Sequence, residues 1–142
     1  MINVEHRNKV MSYIKLAEEE GGEILAGGNI PDKPGAWIEP TVIAGLSHTS
    51  RTATEEIFGP VVTIHKFEND SEAIDMANCT NYGLAGSVWS KNKGRKIAEQ
   101  IDSGMVWVNT WLHRDLRVPF GGVKDSGVGR EGGGGEGGGG EG

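Results

Sequence analysis

The 142-residue sequence carries 14 Lys and Arg against 20 Asp and Glu, which gives a formal net charge of −6. It shows neither a basic stripe nor an apolar run of membrane-spanning length, so we expect no nucleic-acid partner and no membrane association. Its single cysteine excludes an internal disulfide framework and predicts a reducing compartment, the cytoplasm.

Composition divides the chain into a part that can fold and a tail. From Gly132 onward the sequence contains only glycine and glutamate. Such a segment has no apolar surface to bury, so nothing offsets the entropy lost on ordering it. We therefore predict one folded segment over residues 1–131 and a disordered Gly/Glu tail over residues 132–142.

The first predicted element is a helix over Glu5–Glu20. Val10, Ile14 and Ala17 recur at spacings of four and three, which places them on one helix face. A short strand follows at Glu23–Ala26. A second strand is predicted over Trp37–Ile43, and its internal Pro40 favours a position at a sheet edge.

The second half alternates strands and helices. Asn69 is a plausible N-cap for one helix and Asn92 for the next. The strands predicted around these helices are Val61–Phe67, Leu84–Ser90 and Met105–Asn109. Strand, helix and strand joined by short connections predict an α/β fold, with a mostly parallel sheet and flanking helices. The segment Thr110–Glu131 is a long loop, and long loops in compact domains are usually functional.

Five motifs carry a family resemblance. The two main segments are Glu55–Val61 (EEIFGPV) and Pro119–Glu131 (PFGGVKDSGVGRE). The supporting stretches are Trp37–Thr41, Asn81–Ala85 and Val106–Asn109. Together they resemble the C-terminal part of the catalytic domain in the aldehyde dehydrogenase superfamily. The stretch Asn109–Arg117 is similar to the branch that oxidises 2-aminomuconic and 2-hydroxymuconic semialdehydes, so a small-molecule aldehyde is the expected substrate.

The resemblance implies a substrate-binding role for Arg114, Phe120 and Arg117. Muconic semialdehydes carry a carboxylate, and the planar guanidinium fork can donate two parallel hydrogen bonds to it. Arg114 is the first choice for this contact and Arg117 the second, while Phe120 corresponds to an aromatic wall of the pocket. The alternative is that either arginine is a structural tether of the loop and that Phe120 is an ordinary loop anchor. His113 could approach the substrate or be a solvated loop residue.

The cofactor implied by the resemblance is NAD or NADP, held in an incomplete site. Glu56 matches the glutamate that accepts hydrogen bonds from the nicotinamide ribose, and Phe58 matches the aromatic residue beside the nicotinamide ring. Without the resemblance, Glu55 and Glu56 would simply be an exposed acidic pair before a strand.

No catalytic residue and no metal site are predicted. Aldehyde oxidation of this type needs a cysteine thiolate and a general base, which in the family precede the matched segment. Cys79 follows a predicted helix and is expected to be a small buried residue. The four histidines lack metal-binding spacing. The motif GxGxxG at Gly127–Gly132 is rejected as a phosphate loop, because no strand is predicted before it and no helix after it.

Three interpretations remain open for the chain. The first is a fragment of an aldehyde dehydrogenase that does not turn over alone. The second is a non-catalytic interaction module or pseudoenzyme remnant, and the third is a truncated gene model. The family forms homo-oligomers, but the Gly/Glu tail replaces the expected assembly segment, so oligomerisation is doubtful here.

Overall fold

The computed structural model describes residues 1–132 and divides the chain into two compact units, Met1–Glu68 and Asn69–Gly142. The predicted disordered tail lies outside the described residues except for Gly132. The assignment of residues 1–131 to one catalytic-domain segment stays a prediction. Among the described residues, no helix combines the length and apolar character needed to cross a bilayer.

The first unit contains two helices and three strands. In chain order these are α1 (Val4–Glu19), β1 (Glu23–Ala26), β2 (Thr41–Ala44), α2 (Arg51–Thr54) and β3 (Val61–Ile64). The sheet order is β1-β2-β3, with β1 antiparallel and β3 parallel to β2. The predicted helix and first strand are thus confirmed to within one residue.

Helix α1 is capped at both ends. The side chain of Asn3 accepts a hydrogen bond from the His6 amide and caps the N-terminus. At the other end Gly21 adopts a φ of 86°, and the Gly22 amide donates to the carbonyl of Ala17 at 2.7 Å. This is the hydrogen bond of a Schellman cap, which requires a left-handed residue at this position.

The core of the first unit lies beneath one face of α1. Val10, Ile14 and Ala17 are all buried, as their spacing predicts. Ala17 packs against Ile43 of β2 and against Leu46 in one buried cluster. Burial of these apolar side chains is the main driving force that joins the helix to the sheet.

The edge position predicted for the second strand is wrong. Strand β2 begins at Thr41, immediately after Pro40, and it lies between its two neighbours. Because proline precedes the strand, its missing N–H removes no ladder hydrogen bond. The Thr41 amide donates to the carbonyl of Pro60 at 2.8 Å.

The second unit contains two helices and four strands within its described part. They are α3 (Asp70–Asn78), β4 (Tyr82–Gly83), β5 (Ala85–Val88), α4 (Gly94–Ala98), β6 (Met105–Val108) and β7 (Val123–Lys124). Strands β5 and β6 are parallel and β4 and β7 are antiparallel. The α/β class is confirmed. The two parallel pairings each join four residues, and the antiparallel pairings join three and two.

The two helices of the second unit begin differently. Asn69 caps α3 through its side chain, which accepts a hydrogen bond from the Glu72 amide at 3.0 Å, as predicted. Asn92 does not cap α4. That helix starts one residue later, after Lys93, whose amide donates to Ser90 Oγ at 3.2 Å. The start of α4 therefore has no side-chain cap of its own.

Candidate functional site

The segment that precedes β3 is held by a carboxylate at the end of α1. Glu20 accepts hydrogen bonds from the amides of Arg51 at 2.9 Å and Thr52 at 3.1 Å. These amides open the short helix α2 and would otherwise have no acceptor within it. Desolvation raises the pKa of Glu20, but the Thr52 and Arg51 hydrogen bonds and the Arg51 charge outweigh it, so the pKa is lowered overall. Glu20 thereby fixes the start of the segment that leads to the two candidate cofactor residues.

The two adjacent glutamates after α2 have different environments. Glu55 accepts from Arg51 Nε at 2.7 Å, from Arg51 Nη2 at 3.1 Å and from Tyr13 Oη at 2.8 Å. The Arg51 guanidinium and then the Tyr13 hydroxyl lower the pKa of Glu55. Glu56 is exposed, and within residues 1–132 its carboxylate has no hydrogen-bond or ion-pair partner. Glu55 is therefore structural, whereas Glu56 presents free acceptor oxygens.

Phe58 has a constrained backbone and an exposed ring. Its φ is 59°, which is uncommon for a bulky residue, and its side chain is 67% exposed. His6 Nε2 lies 2.8 Å from the Phe58 carbonyl oxygen, and the two rings lie 6.1 Å apart between centroids. The candidates Glu56 and Phe58 thus project from one segment of the first unit.

A cavity of about 380 Å³ lies in the second unit. Trp107 of β6 lies on its wall, donates from Nε1 to the carbonyl of His113 at 2.9 Å, and packs edge-on against Trp111. These contacts tie the long loop to the strand. The lining residues are Gly104, Met105, Val106, Trp107, His113, Arg114, Asp115, Val118, Pro119 and Phe120.

Arg114 and Phe120 meet in this cavity. The Arg114 Cζ atom lies 4.6 Å from the centroid of the Phe120 ring, a cation–π arrangement. Arg114 Nη2 is 3.6 Å from Glu131 Oε2, which is beyond hydrogen-bond distance, and the arginine side chain is 43% exposed. The guanidinium is therefore oriented by the ring and ion-paired with Glu131, while its N–H donors have no hydrogen-bond acceptor within residues 1–132.

Arg117 does not line the cavity. Its Nε donates to both carboxylate oxygens of Asp115, at 2.9 and 3.1 Å, and its side chain is 88% exposed. The Arg117 guanidinium lowers the pKa of Asp115, and the backbone hydrogen bond from Arg117 adds to this. Because Asp115 already occupies the fork, Arg117 is a weaker carboxylate-binding candidate than Arg114, and its role stays a prediction.

A pair of backbone hydrogen bonds between Phe120 and Glu131 joins the two ends of the segment 120–131. Phe120 and Glu131 exchange N–H···O bonds of 2.7 Å in both directions. Contrary to expectation, the strand β7 precedes the GxGxxG motif inside this closed loop. The motif ends at Gly132, the last residue that the structure describes, so its rejection as a phosphate loop stays a prediction.

Cys79 is exposed rather than buried, so the prediction of a buried residue is wrong. It is the C-cap residue of α3, and its amide donates to the carbonyl of Met76. A capping residue lies where the helix ends and not on its apolar face. In the described part of the chain, no three His, Cys, Asp or Glu side chains are arranged to hold a metal ion.

Sequence reasoning missed the residues of α1 that support the candidate segment. His6 and Tyr13 contact residues 52 and 42 positions away, respectively. Contacts at such separation leave no local signal. The pairing of Arg117 with Asp115 could have been foreseen, since opposite charges stand two residues apart in the loop.

Comparison with known proteins agrees with this architecture. A 2-aminomuconic 6-semialdehyde dehydrogenase from Pseudomonas sp. is 51% identical over 137 residues, and a 2-hydroxymuconic semialdehyde dehydrogenase from Pseudomonas sp. (strain CF600) is 46% identical. Each comparison covers 92% of this chain and 28% of the relative.

A solved structure gives the same result. The crystal structure of betaine aldehyde dehydrogenase from Staphylococcus aureus, in complex with NAD+, superposes with a TM-score of 0.89 at 44% identity. It covers 94% of this chain and 28% of that protein, which confirms a partial α/β fold of this type. The chain therefore spans little more than a quarter of the length of these relatives. The profile of the aldehyde dehydrogenase family matches residues 1–137, and the chain belongs to this family.

Proposed function

We propose that this chain forms the nicotinamide-ribose contact and one wall of the aldehyde pocket in an NAD(P)-dependent aldehyde dehydrogenase. We further propose that the substrate is a semialdehyde with a carboxylate at its far end. The observation that carries this proposal is the Arg114 guanidinium stacked on Phe120 in a cavity, with donors that no described carboxylate occupies at hydrogen-bond distance. The names of the 2-aminomuconic and 2-hydroxymuconic semialdehyde dehydrogenases agree with such a substrate.

The stacking of Arg114 on Phe120 and the apolar surroundings of the cavity favour carboxylate binding at this arginine. A cation stacked on a ring has lost part of its rotamer freedom before the substrate binds, so less entropy is lost on binding. The cavity also has apolar wall residues, among them Val106 and Val118. Charge-assisted hydrogen bonds contribute about 1.5–3 kcal/mol each. A substrate carboxylate held here would place the aldehyde end at a fixed distance from the guanidinium.

The first unit fits the cofactor that the family implies. Glu56 is an exposed acceptor, which suits the donor hydroxyls of a ribose, and Phe58 offers an exposed ring face for a planar heterocycle. When bound, the nicotinamide supplies a hydride acceptor. Glu56 and Phe58 would bind and orient the nicotinamide half of the cofactor. Glu56 would accept hydrogen bonds from the ribose, and Phe58 would restrict the position of the nicotinamide ring.

We do not assign the nucleophile to Cys79. This residue caps the C-terminal end of α3, where the helix dipole places partial negative charge. That is an unfavourable environment for the thiolate that aldehyde oxidation requires. Turnover therefore needs a cysteine that this chain does not supply. The single cysteine also leads us to propose a cytoplasmic location.

The test is a comparison of substrates in the enzyme that carries this segment. Arg114→Met should lower kcat/KM for 2-hydroxymuconic semialdehyde about 10- to 100-fold, because charge-assisted hydrogen bonds are lost. An uncharged aldehyde of similar length should be unaffected, and Arg114→Lys should retain part of the preference. Arg95→Met is the matched control, since this arginine pairs with its own helix on the surface.

Equal loss for both aldehydes in Arg114→Met would contradict a carboxylate contact. A larger selective loss in Arg117→Met than in Arg114→Met would transfer the contact to the second arginine.

A further inference from the structure

One face of α1 contacts the candidate cofactor segment at three successive points. His6, Val10 and Tyr13 are spaced by four and three residues and therefore lie on the same side of the helix. His6 Nε2 is bonded to the Phe58 carbonyl at 2.8 Å, and the Tyr13 hydroxyl donates to Glu55 at 2.8 Å. Between them, Val10 packs directly on the backbone of Gly59.

The conformation of this segment requires such support. A phenylalanine with a φ of 59° is strained, and a strained residue persists only where its surroundings fix it. A carbonyl oxygen only accepts, so His6 Nε2 must donate in the bond to Phe58. On the other side of Glu56, the Glu55 carboxylate is held by both Tyr13 and Arg51. The exposed Glu56 thus lies between the anchored side chain of Glu55 and the anchored carbonyl of Phe58.

We propose that His6 and Tyr13 are positioning residues for cofactor binding. Tyr13 holds the side chain of Glu55 before Glu56, and His6 holds the backbone carbonyl of Phe58 after it, so that the Glu56 carboxylate and the Phe58 ring are presented in one fixed arrangement. Neither residue needs to touch the cofactor for this role. The proposal rests on the proposed function, because it assumes that Glu56 and Phe58 contact the nicotinamide half.

The experiment measures KM for NAD, KM for the aldehyde and kcat in the enzyme that carries this segment. His6→Ala and Tyr13→Phe should each raise KM for NAD about 3- to 10-fold, the effect of losing one hydrogen bond, and leave KM for the aldehyde unchanged. His6→Gln should restore most of the loss, since its amide N–H can donate. The control is Lys9→Ala, an exposed position on the same helix, which should change neither constant.

The variant Glu56→Gln separates this inference from the proposed function. If Glu56→Gln leaves KM for NAD unchanged, the proposed ribose contact is wrong. If Glu56→Gln raises it while His6→Ala and Tyr13→Phe do not, only the positioning role is wrong. A purely structural role would lower kcat and thermal stability without changing KM for NAD, which would also overturn the inference.

A double variant adds an independent test. With Glu56 replaced by glutamine, Tyr13→Phe should have little further effect on KM for NAD, because its influence passes through Glu56. Additive effects of the two changes would contradict the proposal.

Discussion

The close contact between Gly59 and Val10 of α1 predicts that a single methyl group added at residue 59 will destabilise the protein. A Cβ atom at residue 59 would lie 2.7 Å from Val10 Cγ2 and 2.8 Å from Val10 Cγ1. Carbon atoms pack best at about 3.5–4.0 Å, so both distances are far inside the repulsive range. Valine in a helix has essentially one favourable rotamer and cannot turn away, and Val10 is 0% exposed.

The size of the destabilisation depends on whether α1 can move away from the added methyl group. Helix α1 is fixed by the burial of Ile14 and Ala17, so it cannot move away without exposing its apolar face. Overpacking of this kind costs about 1–3 kcal/mol. We therefore expect Gly59→Ala to lower the free energy of unfolding by that amount, measured by urea denaturation followed by far-UV circular dichroism.

A double variant and a control test the cause. Val10→Ala removes both colliding methyl groups and by itself should cost about 1.6 kcal/mol, at about 0.8 kcal/mol per group. The double variant Val10→Ala/Gly59→Ala should lose about 1–2 kcal/mol less stability than the sum of the losses in the two single variants. Gly129→Ala, where nothing lies within 4 Å of the added carbon, should have almost no effect. Unchanged stability in Gly59→Ala, or strictly additive costs, would refute the reasoning.

Three further outcomes are expected. Asn69→Ala removes the N-cap of α3 and should cost about 1 kcal/mol in chemical denaturation, whereas Asn69→Asp should be nearly neutral. Asn109 has a φ of 53° and exchanges two side-chain hydrogen bonds with the Ser90 backbone. Asn109→Ala loses both bonds and should lower the free energy of unfolding by about 1–3 kcal/mol in chemical denaturation. No change would show that these bonds are dispensable. The Arg51 and Tyr13 hydrogen bonds lower the pKa of Glu55 below its ordinary 4.5, so their contribution is complete above pH 4.5 and disappears as pH falls through the folded-state pKa. Glu55→Gln should therefore flatten the acid side of the stability–pH curve, and an unchanged curve would contradict this.

Much of the local structure could be predicted because its causes are local. The spacing of Val10, Ile14 and Ala17 predicted α1 and its buried face, and Asn69 predicted the start of α3. Errors arose where chain order does not determine spatial neighbours. Pro40 indicates an interrupted edge strand, but in the structure it precedes a strand that lies between two others.

The candidate site was also predictable from sequence only in part. The sequence named both Arg114 and Phe120, and the structure brings them together in one cavity. Without the family resemblance, the sequence does not distinguish Glu55 from Glu56, because their different environments depend on a tyrosine 42 positions from Glu55. Only the folded contacts show that the first carboxylate is engaged and the second is exposed.

Under the proposed cofactor role of Phe58, its left-handed backbone sets protein stability against catalysis at a single residue. Glycine at this position would relieve the backbone strain, because it has no Cβ, and would also delete the ring that the segment displays. Directed evolution for heat resistance alone would favour that replacement, whereas selection for turnover would retain the aromatic side chain.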